Sequence, residues 1–471
     1  MLTNHISSLI RKQFNEVLTP SQERLIDTLA EFTMNSQEDS LLLITGYAGT
    51  GKTTMLSAFV EMLSGVKMKS VLLAPTGRAA KVFASYSGHQ ALTIHKKIYR
   101  QKSSKDGMGR FVLDRNLHTR TIFIVDEASM ISNQKQEGAI FGSGYVLDDL
   151  IEYVYNDKGC KLILVGDTAQ LPPVGMEISP ALSVTHLSRY SENISSGLLS
   201  EVVRQKKESG VLFNATRIRN KIDSNDYSLP LFELDDFNDI ARVSGSELLE
   251  ILSTSYDKSG LRETIVVNRS NKRANKYNEG IRQSILYRED ELVPGDLLMV
   301  VRNNYFWLKE DMELDFIANG DIVEVVRIHK HYELYGYRFA NCTLRLIDYD
   351  AEIEALLLLD VLHEETPALS SSKNKEMFYT VLEDYAHLKP KRKQYEMVRN
   401  NEYFNAIQVK YAYAVTCHKS QGGQWNTVFI DQGYMPKERI DREYLRWLYT
   451  ALTRATEKVY LVNFPDYFFD G

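Results

Sequence analysis

Cysteine is scarce: Cys160, Cys342 and Cys417 are scattered over 471 residues with no metal-ligand spacing. That excludes a disulfide framework and argues against a zinc site. Proline and glycine are thin as well, at 11 and 26 residues, so collagen-like and low-complexity chains are excluded. No run approaches the roughly 20 apolar residues that cross a bilayer. The segment from Asn4 to Glu16 is too polar for the core of a signal peptide, so a cytoplasmic location away from membranes is expected. Charge of one sign is missing too: 56 Lys and Arg face 62 Asp and Glu, for a net charge of −6. A protein basic all over is ruled out, but a basic groove on one face is not. What is present, 44% hydrophobic and 25% charged residues, describes a globular chain long enough for several packed units.

The most specific segment starts with the apolar run Leu41-Leu42-Leu43-Ile44-Thr45. It continues as Gly46-Tyr47-Ala48-Gly49-Thr50-Gly51-Lys52-Thr53-Thr54 and passes into a helical pattern from Met55 to Leu63. Strand, glycine-rich loop and helix in that order form a phosphate cradle: backbone N–H groups wrap the oxygens, Lys52 adds a point charge and the Thr53 hydroxyl can hold Mg²⁺. A second strand, Thr121 to Val125, ends in Asp126-Glu127, where Asp126 is expected to reach Mg²⁺ and Glu127 to orient or deprotonate a water. A third, Lys161 to Val165, leads into Gly166-Asp167-Thr168-Ala169-Gln170, and Gln170 can sense a terminal phosphate from beside the site. Alternating apolar strands and helices predict an α/β fold with a parallel, doubly wound sheet.

With these three segments, the runs Ala74-Pro75-Thr76-Gly77-Arg78-Ala79-Ala80-Lys81, Thr93-Ile94-His95-Lys96, Glu201-Val202-Val203-Arg204-Gln205, Thr416-Cys417-His418-Lys419-Ser420-Gln421-Gly422 and Leu448-Tyr449-Thr450-Ala451-Leu452-Thr453-Arg454 resemble superfamily 1 helicases of the RecD/Dda-like group. The resemblance runs through most of the chain. It implies two RecA-like P-loop NTPase lobes, ATP with Mg²⁺ between them, and a single DNA strand lying across both, travelled 5′ to 3′. It assigns Lys52, Glu127, Gln170, Arg204 and Arg454 to catalysis, the two arginines as cationic fingers from the second lobe. Gly422 joins the nucleotide-binding set, and Gln22, in Leu18-Thr19-Pro20-Ser21-Gln22, looks like the adenine-reading glutamine; read alone it is a helix glutamine. The strand contacts implied are Pro75, Thr76, Gly77, Arg78, Thr93, His95, Asn268, Lys272, Arg273, Thr416, His418 and Lys419. Phe83 could stack on a base, although the stripe Ala80, Phe83, Ala84 equally reads as core.

By the same resemblance, residues 1–180 form the first lobe, with 96–120 an inserted hairpin turning at Asp106-Gly107 that would act as a strand-separating pin. A plain surface loop is the alternative there. The second lobe takes 181–290 and 405–471. Between them, 291–404 holds a small SH3-like β unit, signalled by the turns Pro294-Gly295-Asp296 and Ala318-Asn319-Gly320-Asp321, plus an extra helical arm. Expected partners are single-stranded DNA and tailed or forked duplexes. Alternatives are an RNA helicase of the same superfamily and a nucleotide-gated binding module that does not unwind. No separate domain remains to hold a nuclease's carboxylate cluster.

Overall fold

The computed structural model describes residues 2–102, 110–135, 141–156, 159–202, 209–308, 316–349 and 351–469. The first half contributes β1 (Leu41–Gly46), β2 (Lys69–Ala74), β3 (Ala91–Thr93), β4 (Tyr99–Lys102), β5 (Arg110–Leu113), β6 (Thr121–Val125), β7 (Lys161–Gly166) and β8 (Ile194–Leu199). Six of these form one sheet in the order β3-β2-β6-β7-β1-β8, parallel at every pairing. Helices cover both faces, which is why strands such as β1 and β7 are apolar almost end to end rather than alternating. The helix Pro20–Met34 starts with a capping box: Gln22 N–H donates to the Thr19 hydroxyl at 3.3 Å, and Thr19 N–H donates back to Gln22 Oε1 at 3.0 Å.

The boundary expected at 180 is corrected by β8. It hydrogen-bonds in parallel to β1, with Leu41 opposite Ile194, so the first sheet extends to Leu199. Its sequence, Ile-Ser-Ser-Gly-Leu-Leu, is too polar to announce a core strand because it lies at the sheet's edge.

The second half contributes β9 (Ile240–Val243), β10 (Thr264–Asn268), β11 (Leu297–Val300), β12 (Ile322–Leu334), β13 (Tyr337–Leu346), β14 (Ala351–Leu358), β15 (Ile407–Tyr411), β16 (Ala414–Thr416), β17 (Trp425–Asp431) and β18 (Ala455–Val462). The order β16-β10-β17-β18-β9 makes a second parallel sheet, and β11 to β15 close a five-stranded barrel. The fold is therefore α/β, with two parallel-sheet cores and a small barrel of the SH3-like kind inserted in the second. The barrel's last strand, β15, lies beyond the expected limit of 404, where it pairs with both β11 and β14.

The segment expected as an arm forms two helices, Ser371–Asp384 and Lys391–Arg399. Met377, Val381 and Val398 bury against Phe339, Leu356 and Leu358 on the barrel's outer side. Asp296 pins the barrel to the second sheet. Its buried carboxylate accepts from Arg282 at 3.0 Å, from Arg288 at 2.7 Å and from the Tyr413 hydroxyl at 3.0 Å.

The expected hairpin is present as the antiparallel pair β4 and β5; its tip, including Lys105, Asp106, Gly107 and Gly109, lies outside the described residues. The root is wedged among aromatic rings. Phe111 lies 4.8 Å from Phe141 of the first half and 4.7 Å from Tyr305 beside the barrel, and Tyr305 lies 5.2 Å from Phe316.

Candidate nucleotide cleft and nucleic-acid face

At the end of β1 the chain turns through Gly49 at φ +74° and Gly51 at φ +86°, backbone that side chains rarely adopt. Gly49 is required twice over, since a Cβ there would stand 2.8 Å from Leu212 Cδ1. Gly51 caps the helix Lys52–Gly65, whose N-terminus therefore opens onto the loop. Lys52 Nζ donates to the carbonyls of Gly46 at 2.8 Å and Tyr47 at 2.9 Å, and lies 3.8 Å from Asp167 Oδ2. Thr50, fully buried, closes the loop by donating to Tyr47 O at 2.8 Å.

Asp126 and Glu127 follow β6. Glu127 holds φ +53°, and its N–H donates to Asp126 Oδ1 at 2.8 Å. The other Asp126 oxygen accepts from the Tyr86 hydroxyl. Burial pushes both carboxyl pKa values up; for Glu127 the charges of Arg454 and Lys52 pull back, and for Asp126 the Tyr86 hydrogen bond does. Gln170 is buried with Oε1 unpartnered.

One cleft of about 480 Å³ gathers Gln22, Ala48, Gly49, Gly51, Lys52, Thr53, Thr54, Asp126, Glu127, Gln170 and Arg454. Arg454 comes from the second sheet's side, its guanidinium held by Thr450 O at 3.1 Å and Gly423 O at 3.3 Å. Gln22 donates to Thr50 O at 3.3 Å, which ties it to the loop and leaves an amide hydrogen spare. These groups fit a nucleoside triphosphate with Mg²⁺. Thr53 and Asp126 offer the oxygen ligands that ion takes, and the orphaned Gln170 oxygen faces the cleft where a metal-bound or attacking water would meet it. Arg204 lies outside the described residues.

Two further residues belong here that sequence motifs did not single out. Tyr86 is one. Tyr449 is the other: its buried hydroxyl accepts from the loop's Ala48 N–H at 2.8 Å and donates to Asp167 Oδ2 at 2.7 Å, joining the two sheets' ends. Beside it, Thr450 Oγ1 accepts from Leu171 N–H at 2.9 Å and Gln421 donates to Leu171 O at 2.7 Å.

Two expected placements, those of Gly422 and Phe83, are corrected, and two arginines of the expected strand face have partners within the protein. Gly422, expected at the nucleotide, packs instead on the helix Gly77–Ser87, where a Cβ would meet Ala79 Cβ at 2.9 Å and Thr76 Oγ1 at 3.1 Å; Gln424 lines the cleft in its stead. Phe83 is fully buried in the core under the first sheet, its ring 5.2 Å from that of Tyr86, so it cannot stack on a base. Arg78 lies 3.8 Å over the Trp425 ring and donates one N–H to Gln424 O at 3.1 Å. Arg273 is locked at 2.5 Å on the buried carboxylate of Asp431.

The other strand candidates gather at loop and strand ends. Thr76 and Thr93 cap helices, accepting from Ala79 N–H at 3.2 Å and Lys96 N–H at 3.1 Å. Pro75 and Gly77 flank the first cap, and Gly77 abuts the barrel's Asp321 and Tyr349. Asn268 and Thr416 pair in register at the carboxyl ends of β10 and β16, with both amide atoms of Asn268 buried and unpartnered. Lys272 is exposed and paired with Glu365 at 3.0 Å. His418 is half-buried, and burial lowers its pKa. Lys419 reaches Asn319 Oδ1 at 2.7 Å, with burial bringing its pKa down to about 8. His95 sits among Tyr99, Phe141 and Phe316, and burial pushes its pKa down to about 4, so at neutral pH it carries no charge toward a phosphate.

Residues 17–224 match the model of an AAA domain family, and residues 411–462 match that of a UvrD-like helicase C-terminal domain. An uncharacterized protein of Acanthamoeba polyphaga mimivirus is 23% identical over 93% of this chain and 98% of its own. The ATP-dependent DNA helicase dda of Enterobacteria phage T4 is 23% identical over 89% and 93% of the respective chains. The ATP-dependent RecD2 DNA helicase of Deinococcus radiodurans is 24% identical over 96% of this chain, which spans half of that protein's length. Among solved structures, a Bacteroides Pif1 helicase in complex with ADP-AlF3 and ssDNA aligns at 17% identity and TM-score 0.48, over 97% of this chain and 95% of the other. These matches make the chain similar to superfamily 1 helicases of the RecD/Dda-like kind, which are ATP-driven motors that act on nucleic acid.

Proposed function

We propose that this chain is a DNA helicase that moves 5′ to 3′ along a single strand and unwinds the duplex ahead of it. The observation that carries the reading is the cleft: Lys52, Thr53, Asp126, Glu127 and Gln170 from one parallel sheet and Arg454 from the other line the same cavity. A binding module needs only the phosphate loop. Glu127, half-buried in the cleft that Arg454 also lines, adds a carboxylate that can hold a water, and raised basicity suits it to accept the proton that water loses. Mg²⁺, when bound, neutralises phosphate oxygens, and Thr53 and Asp126 would hold it. Lys52 turns from the loop carbonyls to the phosphates, and Arg454 meets the charge that develops as the lobes close.

Strand separation needs a rigid element at the fork, and the hairpin of β4 and β5, packed at its root between Phe141 and Tyr305, has that support. DNA rather than RNA is supported by the names of two relatives, both DNA helicases; the direction of travel rests on the RecD/Dda-like resemblance of the motifs. The test is ATP-dependent unwinding of duplexes carrying only a 5′ or only a 3′ tail, in matched DNA and RNA versions. Unwinding of 5′-tailed DNA alone is expected. Activity restricted to 3′ tails would overturn the direction, preference for RNA the substrate, and ATP hydrolysis without unwinding the helicase reading.

A further inference from the structure

The helix Gly77–Ser87 touches the phosphate-loop helix, the second parallel-sheet core and the barrel. Its N-terminal half is where the second lobe and the barrel both rest: Arg78 on Trp425 and Gln424, Thr76 and Ala79 against Gly422, and Lys81 on Ile347 O at 3.1 Å and Asp348 at 3.6 Å. Its C-terminal end carries Tyr86, whose hydroxyl donates to Asp126 and whose carbonyl accepts from Ser57 Oγ, on the phosphate-loop helix, at 2.9 Å. Eleven residues at about 1.5 Å each make a strut of roughly 16 Å between these ends. Phe83, fully buried, packs its ring 5.2 Å from that of Tyr86 and so fixes how that ring sits on the helix.

We propose that Tyr86 is a positioning residue that transmits the arrangement of the second lobe and the strand, through this helix, to the metal-binding carboxylate of Asp126. The inference rests on the ATPase reading above. Asp126 has one oxygen fixed by the Glu127 N–H; the Tyr86 hydroxyl fixes the other and so sets the plane in which the carboxylate presents its free lone pairs. Displacing the N-terminal half of the helix displaces that hydroxyl. Sites joined by one such element must influence each other reciprocally, strand binding altering metal-dependent nucleotide affinity by the same factor as the converse.

The test uses the full chain and a fluorescent ADP analogue, titrated with and without Mg²⁺ and with and without oligo(dT), for the wild type and Tyr86→Phe. The substitution keeps the ring and its packing on Phe83 and removes only the hydroxyl. Wild type should show an oligo(dT)-dependent change in its Mg²⁺-dependent affinity. In Tyr86→Phe that affinity should fall roughly tenfold, the worth of one hydrogen bond to a charged acceptor. The effect of oligo(dT) should vanish, and Mg²⁺-free nucleotide affinity and oligo(dT) affinity should stay as they were. A merely structural tyrosine would lower all of these together, and that outcome overturns the proposal. So does a variant that keeps the wild-type Mg²⁺ dependence and oligo(dT) effect. A wild type that binds no nucleotide would instead overturn the ATPase reading, so the two failures are told apart.

Discussion

Tyr449→Phe should damage turnover far more than fold. The hydroxyl is buried between two first-lobe groups, the Ala48 N–H at 2.8 Å and Asp167 Oδ2 at 2.7 Å, yet it belongs to the second lobe's helix Arg442–Leu452. Removing it leaves an amide and a carboxylate oxygen without partners inside a closed interface. Each orphaned buried group costs about 1–3 kcal/mol, and more when charged. Asp167 keeps the Ala169 N–H at 2.9 Å and Lys52 Nζ at 3.8 Å, which softens its share. A sum of about 2–4 kcal/mol is therefore reasonable, borne only while the lobes are together, because parting them lets water reach both groups. At about 1.4 kcal/mol per factor of ten, the closed arrangement loses roughly thirtyfold or more in population. Steady-state ATPase with saturating single strand should show kcat reduced at least about tenfold, with a smaller change in KM. The melting temperature should move by only a few degrees. A kcat within about twofold of wild type would mean that these hydrogen bonds carry no closure energy, and the reasoning fails.

Three other outcomes follow from particular contacts. Glu127→Gln keeps shape and hydrogen bonding but loses the base, so it should bind nucleotide at near wild-type affinity while hydrolysing it about a hundredfold more slowly; equilibrium binding and phosphate release on one preparation decide this. Phe111→Ala opens a hole where the hairpin root meets Phe141 and Tyr305, a loss of about 3–5 kcal/mol of local packing, and should cut duplex unwinding sharply while leaving strand-stimulated ATPase nearly intact. Equal losses in both rates would make the cluster general core. Asp321 is buried at the contact with Gly77; burial, opposed by the Ala318 N–H and reinforced by Asp348, lifts its pKa from 3.8 to about 7. The folded form therefore holds this proton more tightly than the unfolded chain does, and stability falls as pH rises through that window. Melting temperatures at pH 5 and 7.5 should differ less for Asp321→Asn than for wild type, and an unchanged difference would assign the dependence elsewhere.

The phosphate loop was legible because its chemistry is contiguous: a strand, two glycines at positive φ, a lysine and a threonine must follow one another to wrap a phosphate, so the local sequence is the site. The barrel was legible from its turns, Pro294-Gly295-Asp296 and Asn319-Gly320-Asp321, but its closing strand β15 carries no such signal and is recruited from 407–411 by pairing with β11. What failed to show was whatever depends on a distant partner. Phe83 lies on one helical stripe with Ala80, and only the sheet beneath decides that the stripe is core.

The lobe interface gives the sharpest case. Arg78 and Gly422 sit in motifs that face ligands in the resemblance, and Tyr449 sits unmarked inside another, yet all three are occupied by each other's lobes. Ala48 and Tyr449, in hydrogen-bond contact, are 401 residues apart, and no spacing rule reaches that far. On the proposed reading, in which the cleft opens and closes, part of the closing energy lies in such pairs. Groups read from sequence as free to bind a ligand are then, in one state, bound to the other lobe. On that reading these groups have a use: parting the lobes would free the Arg78 guanidinium and the Ala48 amide from Trp425, Gln424 and Tyr449 for an incoming phosphate. Competition between lobe and ligand for the same donors is a direct physical route from binding to motion.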